Sequence, residues 1–309
     1  MAQEYDIVII GAGPAGLTAG LYAARARRKT ILLERNVTGG QIALTSVVEN
    51  YPGFPEGVNG FDLAQAMQRQ AEKYGLEMGY ADVTGIEPNN GQHLVKTSEE
   101  DYLAKAIIVT GGADYNRLNV PGEERLTGRG VSYCATCDAA FFKDQEVAVV
   151  GGGDAAMDEG LFVTRYASKV YVVHRRGELR ASKILQERAL ANPKMEFVWN
   201  SVVTEVLGEE AVTGIRRRDV VTGEESTLPV AAVFIFIGLH PNSDYLKGSL
   251  RMDEGGHIYV NDWMETEVPG IFAAGDIRVN SSRQVVSAAG DGATAAIKAD
   301  HYISDHFKE

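Results

Sequence analysis

Cysteine is scarce in this chain. Only two cysteines occur in 309 residues, and both lie in the stretch "CATCD". Two are too few for the several disulfides that stabilise small secreted domains. A structural zinc site is also excluded, because it would need two further ligands and there is no second cysteine pair.

Long apolar runs and an excess of positive charge are lacking as well. No stretch approaches the roughly 18 apolar residues of a membrane-spanning helix, and "DIVII" near the N-terminus is too short for a signal-peptide core. The 42 acidic and 30 basic residues give a net charge of −12, which argues against a nucleic-acid partner. The histidines are scattered without ligand spacing, so we expect no metal. We expect a cytoplasmic protein with neither membrane nor nucleic acid as partner.

Glycine, in contrast, is abundant at 34 residues, and it occurs in clusters. The apolar run Tyr5 to Ile10 predicts a strand. Gly11, Gly13 and Gly16 follow in G-x-G-x-x-G order. In such a strand, turn and helix, glycines let the backbone approach a pyrophosphate at the helix N-terminus. Glu34 ends the next apolar run, where a carboxylate can accept hydrogen bonds from a ribose, so this unit predicts an FAD site.

A second strand, glycine-rich turn and helix follows in "QEVAVVGGGDAAMDEG". Gly151, Gly153 and Ala156 occupy its three key positions. His174 stands 23 residues after the first of these glycines, at the place that corresponds to Glu34. Three arginines come next: Arg175, Arg176 and Arg180. Arginine pairs with a 2′-phosphate that a carboxylate would repel, so this unit predicts NADPH; an ordinary basic surface is the alternative.

The order of these segments predicts an α/β protein. It consists of two Rossmann-like, three-layer dinucleotide-binding domains, with the NADPH domain inserted into the FAD domain. We expect the FAD domain at 1–115 and 245–309 and the NADPH domain, with both cysteines, at 116–244. "PGEE" (Pro121 to Glu124) and the stretch near His240 are interpreted as links, the first of them exposed. The tail from Ser282 predicts a glycine turn followed by a helix of small residues.

The spacing of the two cysteines favours redox chemistry. A structural disulfide would be expected to close a longer loop, since its stabilising effect grows with loop length. C-x-x-C spacing is typical of a dithiol that cycles between reduced and oxidised forms, although two unrelated buried cysteines remain possible. Asp138 directly follows Cys137. It could act as a general acid and base, or be an ordinary carboxylate near a helix N-terminus.

From Asp6 to about Tyr302 the chain resembles the low-molecular-weight thioredoxin reductases of bacteria and archaea. The matching motifs are "GAGPAG", "GGQ", "ENYPG" (Glu49 to Gly53), "CATCD", "GGGDAAMDE", "HRR", and "GDI" followed by "RQ". The resemblance implies electron transfer from NADPH through FAD to the Cys134–Cys137 disulfide and then to thioredoxin. It also implies Asp138 as the acid and base, a homodimer, and domain rotation about the links between half-reactions.

The resemblance implies cofactor contacts residue by residue. Those to FAD are Gly11, Gly13, Pro14, Ala15, Gly16, Glu34, Arg35, Gly39, Gly40, Gln41, Asn50, Gly111, Gly275, Asp276, Arg283, Gln284 and Val285. Those to NADPH are Gly152, Gly153, Asp154, Ala155, Ala156, His174, Arg175, Arg176 and Arg180. The chain departs from the family pattern at Ala155, where serine or threonine is frequent, and at Gly160, where alanine is usual.

Three other functions remain open. A dithiol oxidase would pass electrons to oxygen, and the arginine cluster disfavours it. A peroxiredoxin-system reductase would carry an extra N-terminal domain, whereas this chain starts directly at the FAD motif. A redox sensor without turnover would need no acid beside the cysteines, so Asp138 counts mildly against it.

Overall fold

The computed structural model of the protein describes residues 2–44, 47–48, 50–89 and 91–307. The chain forms two compact units. The first, here called the discontinuous unit, comprises Met1–Asp114 and His240–Glu309. The second, here called the inserted unit, comprises Tyr115–Leu239.

Before the insertion, two strands alternate with two helices, and five consecutive strands follow. They are β1 (Gln3–Ile10), α1 (Pro14–Arg25), β2 (Thr30–Glu34), α2 (Gly60–Glu72), β3 (Glu77–Tyr80), β4 (Val83–Asn89), β5 (Gln92–Thr97), β6 (Tyr102–Val109) and β7 (Ala113–Tyr115).

The inserted unit then adds eight strands and three helices to the described structure. They are β8 (Val131–Ser132), α3 (Ala135–Asp138), β9 (Glu146–Val150), α4 (Asp154–Val163), β10 (Lys169–Val173), α5 (Lys183–Ala191), β11 (Met195–Val198), β12 (Ser201–Leu207), β13 (Gly214–Asp219), β14 (Glu225–Pro229) and β15 (Ala232–Ile235). The chain ends with β16 (Leu239–Pro241), β17 (Ile271–Ala273) and α6 (Val285–His306).

The discontinuous unit is built on a sheet with the order β3-β2-β1-β6-β5-β4, in which β17 also pairs with β6. The pairs among β1, β2, β3, β6 and β17 are parallel, and β4 and β5 add an antiparallel edge. Strand β1 is buried on both faces. Ile7 and Ile9 pack in a core with α1 and α6, while Val8 and Ile10 pack in a core on the opposite face. A central parallel strand therefore reads as a continuous apolar run.

The inserted unit has its own parallel sheet, with the order β11-β10-β9-β15-β8. Strands β12, β13 and β14 form a separate antiparallel sheet. Two cores pack against the parallel sheet, one of which contains residues of α4 and α5. The predicted class, an α/β protein with one Rossmann-like unit inserted in another, is confirmed.

The "PGEE" segment is not the link that we expected from the sequence, although Pro121 and Glu124 are exposed. Glu123 is only 2% exposed. The Pro121 carbonyl oxygen accepts a hydrogen bond from the amide of Val206 at 2.9 Å, and a Cβ on Gly122 would overlap the Val206 carbonyl oxygen. The segment is therefore packed against β12, within the inserted unit. The chain passes between the units in β7 and β16 instead.

The second passage between the units comes at Leu239–His240, five residues before the expected boundary at 245. The reason is that Asn242 already belongs to the discontinuous unit. Its amide nitrogen Nδ2 donates to the Gly111 carbonyl oxygen at 2.9 Å, and its backbone N–H donates to the Gly112 carbonyl oxygen at 3.0 Å.

Helix α6 also differs from the sequence expectation. The glycines of "GDG" do not form a turn before the helix; they lie inside it, because the helix begins at Val285. Gly292 is buried, and a Cβ there would overlap the backbone carbonyl of Ala15 in α1. Its lack of a side chain thus lets the two helix backbones approach each other. Gly290 is exposed, and a Cβ there would meet no described atom within 4 Å.

The two glycines predict opposite effects of alanine on stability. Gly292→Ala should lower the free energy of unfolding by about 1–3 kcal/mol, because the added methyl pushes α6 away from α1. Gly290→Ala should raise it by about 0.5–1 kcal/mol through helix propensity alone. Urea denaturation followed by circular dichroism measures both. Equal effects of the two substitutions would contradict the close approach of α6 to α1.

Candidate active site

Cys134 and Cys137 are joined in a disulfide at the start of the short helix α3. Strand β8 delivers the chain to this point, and Cys134 is the N-cap of the helix. Its Sγ atom accepts the backbone N–H of Cys137 at 3.2 Å. Both residues are partly exposed. The expected proximity of the pair to a helix start is confirmed.

Asp138 is the charged group that immediately follows the disulfide. Burial raises the pKa of its carboxyl group, and a hydrogen bond with Ser132 opposes this shift to a smaller extent. The Ser132 hydroxyl also accepts the backbone N–H of Cys134 at 3.1 Å, so it links the first cysteine to the acid. A carboxyl group with a raised pKa keeps its proton to higher pH, which suits a proton donor for a thiolate.

The glycine-rich turn of the inserted unit lies between β9 and α4. Gly151 has a φ of +146°, and a Cβ there would overlap the Phe236 carbonyl oxygen. Gly153 is the N-cap of α4, and a Cβ on it would meet no described atom within 4 Å. The third position, Ala156, is fully buried. The three positions thus provide the tight turn, the open approach and the close packing that the motif requires.

His174 lies beneath this turn. It is 5% exposed, and a Cβ on Gly152 would overlap its imidazole ring. Burial lowers its pKa, and the three arginines lower it further, against a hydrogen bond with the backbone at Glu178 that raises it. A neutral ring that supports the turn is the role that its position indicates.

The arginines that we expect to contact NADPH are solvent-exposed. Arg175, Arg176 and Arg180 are all exposed, and no described carboxylate lies within ion-pair distance of their guanidinium groups. The backbone N–H of Arg180 donates to the Gly152 carbonyl oxygen at 2.7 Å, which anchors this residue at the glycine turn. Exposed guanidinium groups without an ion-pair partner are groups with which a phosphate can pair.

The remaining residues of the second motif lie along α4. Asp154 accepts the backbone N–H of Ser182 through Oδ1, so its side chain is engaged within the protein. Ala155 is exposed. Gly160 is buried, and a Cβ there would lie 3.3 Å from Cε of Met195. A methyl group at this position would thus require only a small shift of the Met195 side chain, and the structure gives no strong steric reason for glycine.

The first glycine-rich turn has the same construction in the discontinuous unit. Gly11 has a φ of +105°. A Cβ on Gly16 would overlap the Gly11 carbonyl oxygen, whereas a Cβ on Gly13 would meet no described atom within 4 Å. Pro14 begins α1, and Ala15 is buried behind it. This turn thus has an open face at the helix N-terminus.

Two further segments meet at this turn. The Glu34 carboxylate accepts the backbone N–H of Ala12 at 2.7 Å through Oε2. The Gly39 N–H donates to the Ala12 carbonyl oxygen at 2.8 Å, and a Cβ on Gly40 would lie 3.6 Å from Cα of Gly13. The structure therefore brings the acid and the "GGQ" loop to the same turn.

The other residues expected to contact FAD form a hydrogen-bonded set within the discontinuous unit. Gln41 donates to Asp114 at 2.8 Å, Asn50 donates to Gln284 at 2.9 Å, and Arg35 lies 3.8 Å from Asp114 and 3.4 Å from the Asn242 amide oxygen. Gly111 accepts the side chain of Asn242 at its carbonyl oxygen. Glu49 of the "ENYPG" motif lies outside the described residues.

The loop between β17 and α6 carries the last group. The Asp276 carboxylate accepts the Ser281 hydroxyl at 2.8 Å, and burial raises its pKa, against lowering contributions from Ser281 and Arg283. Arg283 has a φ of +57°, Gln284 is the N-cap of α6, and Val285 is its first residue.

The geometry of both turns fits a dinucleotide. The N-cap residues of α1 and α4 are Gly13 and Gly153, and among the described residues neither cap position makes a side-chain hydrogen bond to its helix. The first N–H groups of α1 and α4 thus remain available to a pyrophosphate. The carboxylate at the first turn and the arginines at the second fit FAD and NADPH respectively. No group of three potential metal ligands occurs among the described residues, nor any helix long and apolar enough to cross a bilayer.

Comparison with known proteins agrees with this construction. The family model described as "Pyridine nucleotide-disulphide oxidoreductase" matches residues 5–292. The thioredoxin reductase of Bacillus subtilis is 49% identical over 308 residues, covering 99% of this chain and 97% of that protein. The chain belongs to the thioredoxin reductase family. It is an oxidoreductase that acts on a disulfide, and reductases of this family use FAD and NADPH.

Two solved thioredoxin reductases are also similar. That of Streptococcus pyogenes is 45% identical, with a TM-score of 0.94 and coverage of 99% of this chain and 100% of that one. That of Lactococcus lactis, described as the FR conformation, is 43% identical, with a TM-score of 0.67 and coverage of 97% and 99%.

Sequence reasoning missed a residue pair that lies next to the disulfide. The Tyr133 hydroxyl, next to Cys134, donates to Oε1 of the buried Glu123 at 2.7 Å. The same carboxylate accepts the backbone N–H groups of Leu118 at 2.9 Å and of Asn119 at 2.7 Å. Burial and the Glu123 hydrogen bond raise the pKa of Tyr133. Through Glu123, the residue before Cys134 is thus linked by hydrogen bonds to the segment that follows β7.

Nothing local in the sequence distinguishes Glu123 from its neighbour Glu124. Both follow a Pro-Gly turn and look equally solvated. The side chain of Glu124 is 91% exposed. The difference arises from Tyr133, ten residues away, whose aromatic character next to the cysteines was the only available signal.

The two glutamates offer a matched test. Glu123→Ala should destabilise the inserted unit by about 1–3 kcal/mol, because it leaves two backbone N–H groups and a partly buried phenol without this acceptor. Glu124→Ala should change stability by less than about 0.5 kcal/mol. In a Trp263→Phe background, Trp199 fluorescence during denaturation reports on the inserted unit alone. Similar midpoints for the two alanine variants would show that the Glu123 carboxylate contributes nothing.

Proposed function

We propose that this chain is an NADPH-dependent thioredoxin-disulfide reductase. The observation that carries the proposal is the Cys134–Cys137 disulfide, held at a helix start beside Asp138. This disulfide is accompanied by two glycine-rich turns of different charge. A structural bridge would need neither the turns nor the acid.

The discontinuous unit is assigned to FAD and the inserted unit to NADPH. Gly13, Glu34 and Asp276 would hold FAD, and Gly153 with the exposed arginines would hold NADPH. Together the bound cofactors supply the disulfide with an electron pair that originates as the NADPH hydride. The protein positions these groups, transfers protons through Asp138 and carries out thiol–disulfide exchange through its two cysteines.

The cysteines perform the exchange. Reduction of the Cys134–Cys137 bond takes up two electrons and two protons and yields a dithiol. One sulfur, as thiolate, attacks the disulfide of oxidised thioredoxin and forms a mixed disulfide. The second sulfur attacks its neighbour, which reforms the Cys134–Cys137 bond and releases reduced thioredoxin. Asp138 donates and accepts the proton as each sulfur changes state, for which its raised pKa is suited.

Rotation of the units between the two half-reactions forms part of the proposal. The pivot is placed at β7 and β16, where the chain passes between the units. Pro121, near which we expected the pivot, is hydrogen-bonded to β12 within the inserted unit. Supporting this, the nicotinamide and the disulfide would both need the same flavin ring, and the dithiol must then reach a protein partner, so one fixed arrangement would not serve every step.

Thioredoxin is the proposed protein substrate, and a cytoplasmic homodimer is the proposed form of the enzyme. We propose neither a nucleic acid nor a membrane as partner. The net charge of −12 agrees with the first of these, and the lack of long apolar runs agrees with the second.

The decisive test is NADPH oxidation in air by the FAD-loaded protein, with and without oxidised thioredoxin from the same organism. We expect consumption that depends on thioredoxin and is abolished in Cys137→Ser. Equal consumption without thioredoxin would identify oxygen as the acceptor and favour a dithiol oxidase. If the cysteines respond to redox potential without turnover, the protein is a sensor.

The arginines decide which nucleotide is used. Arg175→Ala and Arg176→Ala should each raise the KM for NADPH about tenfold or more, since each removes a charge-assisted hydrogen bond to the 2′-phosphate. The KM for NADH should stay within twofold. Arg218→Ala, an exposed arginine on β13, is the control and should alter neither value. An unchanged KM for NADPH in both variants would point to a different electron donor.

A further inference from the structure

A buried ion pair links α6 to the loop that precedes it. The carboxylate of Asp291 accepts Nε of Arg278 at 2.6 Å through Oδ2 and a terminal guanidinium nitrogen at 3.0 Å through Oδ1. The two side chains are only 11% and 15% exposed. This two-point geometry fixes the orientation of both groups as well as their distance.

The same pair holds the loop backbone. Oδ2 of Asp291 also accepts the backbone N–H of Gly275 at 3.1 Å. The other terminal nitrogen of Arg278 donates to the carbonyl oxygens of Val279 at 3.1 Å and Asn280 at 3.3 Å. One buried carboxylate and its partner thus bind both the start and the middle of the loop.

This loop needs such support because its backbone is unusual. Gly275, Asn280 and Arg283 have φ values of +79°, +61° and +57°. Asparagine adopts such values readily, whereas Arg283 occupies the left-handed region against its intrinsic preference. The hydrogen bonds of Asp291 from α6, and those of Arg278 within the loop, support this path.

Position connects the pair to the cofactor site. Asp291 precedes Gly292, the residue that lets α6 approach the backbone of Ala15. Ala15 lies in the first turn of α1, where the pyrophosphate would lie. The pair therefore fixes the position of the loop that carries Asp276 relative to the N-terminus of α1. A buried ion pair contributes little net stability compared with apolar residues, so its geometry is the stronger reason for its presence.

We propose that Asp291 and Arg278 are positioning residues for FAD, which hold Gly275 and Asp276 in the geometry that the cofactor requires. The inference rests on the proposed assignment of this loop to FAD. Neither residue has to touch the cofactor. Their effect is transmitted by the Gly275 N–H and by the carbonyl oxygens that Arg278 binds.

The chain contains a matched control pair. Asp300, also on α6, accepts Nε of Arg28 at 2.6 Å, so it forms the same contact near the other end of the helix. Asp300→Asn should therefore affect the attachment of α6 without affecting the loop.

The experiment is a titration of the apoprotein with FAD, followed by quenching of flavin fluorescence, well below the melting temperature of each variant. Asp291→Asn should raise the Kd for FAD at least tenfold, and Arg278→Lys, which keeps the charge but loses the two-point contact, should raise it by a smaller factor. Asp300→Asn should stay within twofold of the unchanged protein. The visible spectrum of bound flavin should shift in the first two variants alone.

Asp276→Ala separates the possible failures. If it weakens FAD binding while Asp291→Asn and Arg278→Lys do not, the positioning role is overturned and the FAD assignment stands. If Asp276→Ala leaves the Kd unchanged, both the assignment and the inference fail. Equal weakening by Asp291→Asn and Asp300→Asn would reduce the pair to general support of α6. Should Asp291→Asn not fold, Arg278→Lys against Asp300→Asn decides by the same criteria.

Discussion

The discontinuous unit depends on a contact between two helix backbones. Helices α1 and α6 come from opposite ends of the chain, and they meet where Gly292 lies against the carbonyl of Ala15. Because no side chain separates the two helices there, the loop before α6 lies next to the first turn of α1. The glycine turn after β1 and the Asp276 loop are thereby brought together, at the place where we propose that FAD binds. The buried Asp291–Arg278 pair lies at the same point.

The inserted unit follows a different principle, in which charge is arranged around a compact turn. His174 fills the space beneath Gly152 as a neutral ring, and this lets the neighbouring arginines remain exposed and unpaired among the described residues. Near the disulfide, burial has the opposite use: it raises the pKa of Asp138 and so retains a proton where thiolates form. Desolvation thus favours the neutral form of both groups: it lowers the pKa of His174 and raises the pKa of Asp138.

The sequence predicted those features that a local backbone requirement imposes. The turns at Gly11 and Gly151 need positive φ, and the strands before them are apolar on both faces, so their positions were visible in the sequence. The C-x-x-C pair was equally local. The burial of Glu123 was not predictable, because its partner Tyr133 and the turn at 118–120 become neighbours only in the folded unit. Gly292 was misread for the same reason, since its need for close packing comes from Ala15, far away in the sequence.

The insertion has a consequence for the order in which this chain can fold during synthesis. About 260 residues separate the end of α1 at Arg25 from the start of α6 at Val285. At translation rates of about 5–20 residues per second, α1 waits roughly 13–52 s for its partner. The inserted unit is complete well before then and can fold while the first strands and helices remain unfinished. The apolar faces of β1 and α1 are the part of the nascent protein that most needs protection from aggregation.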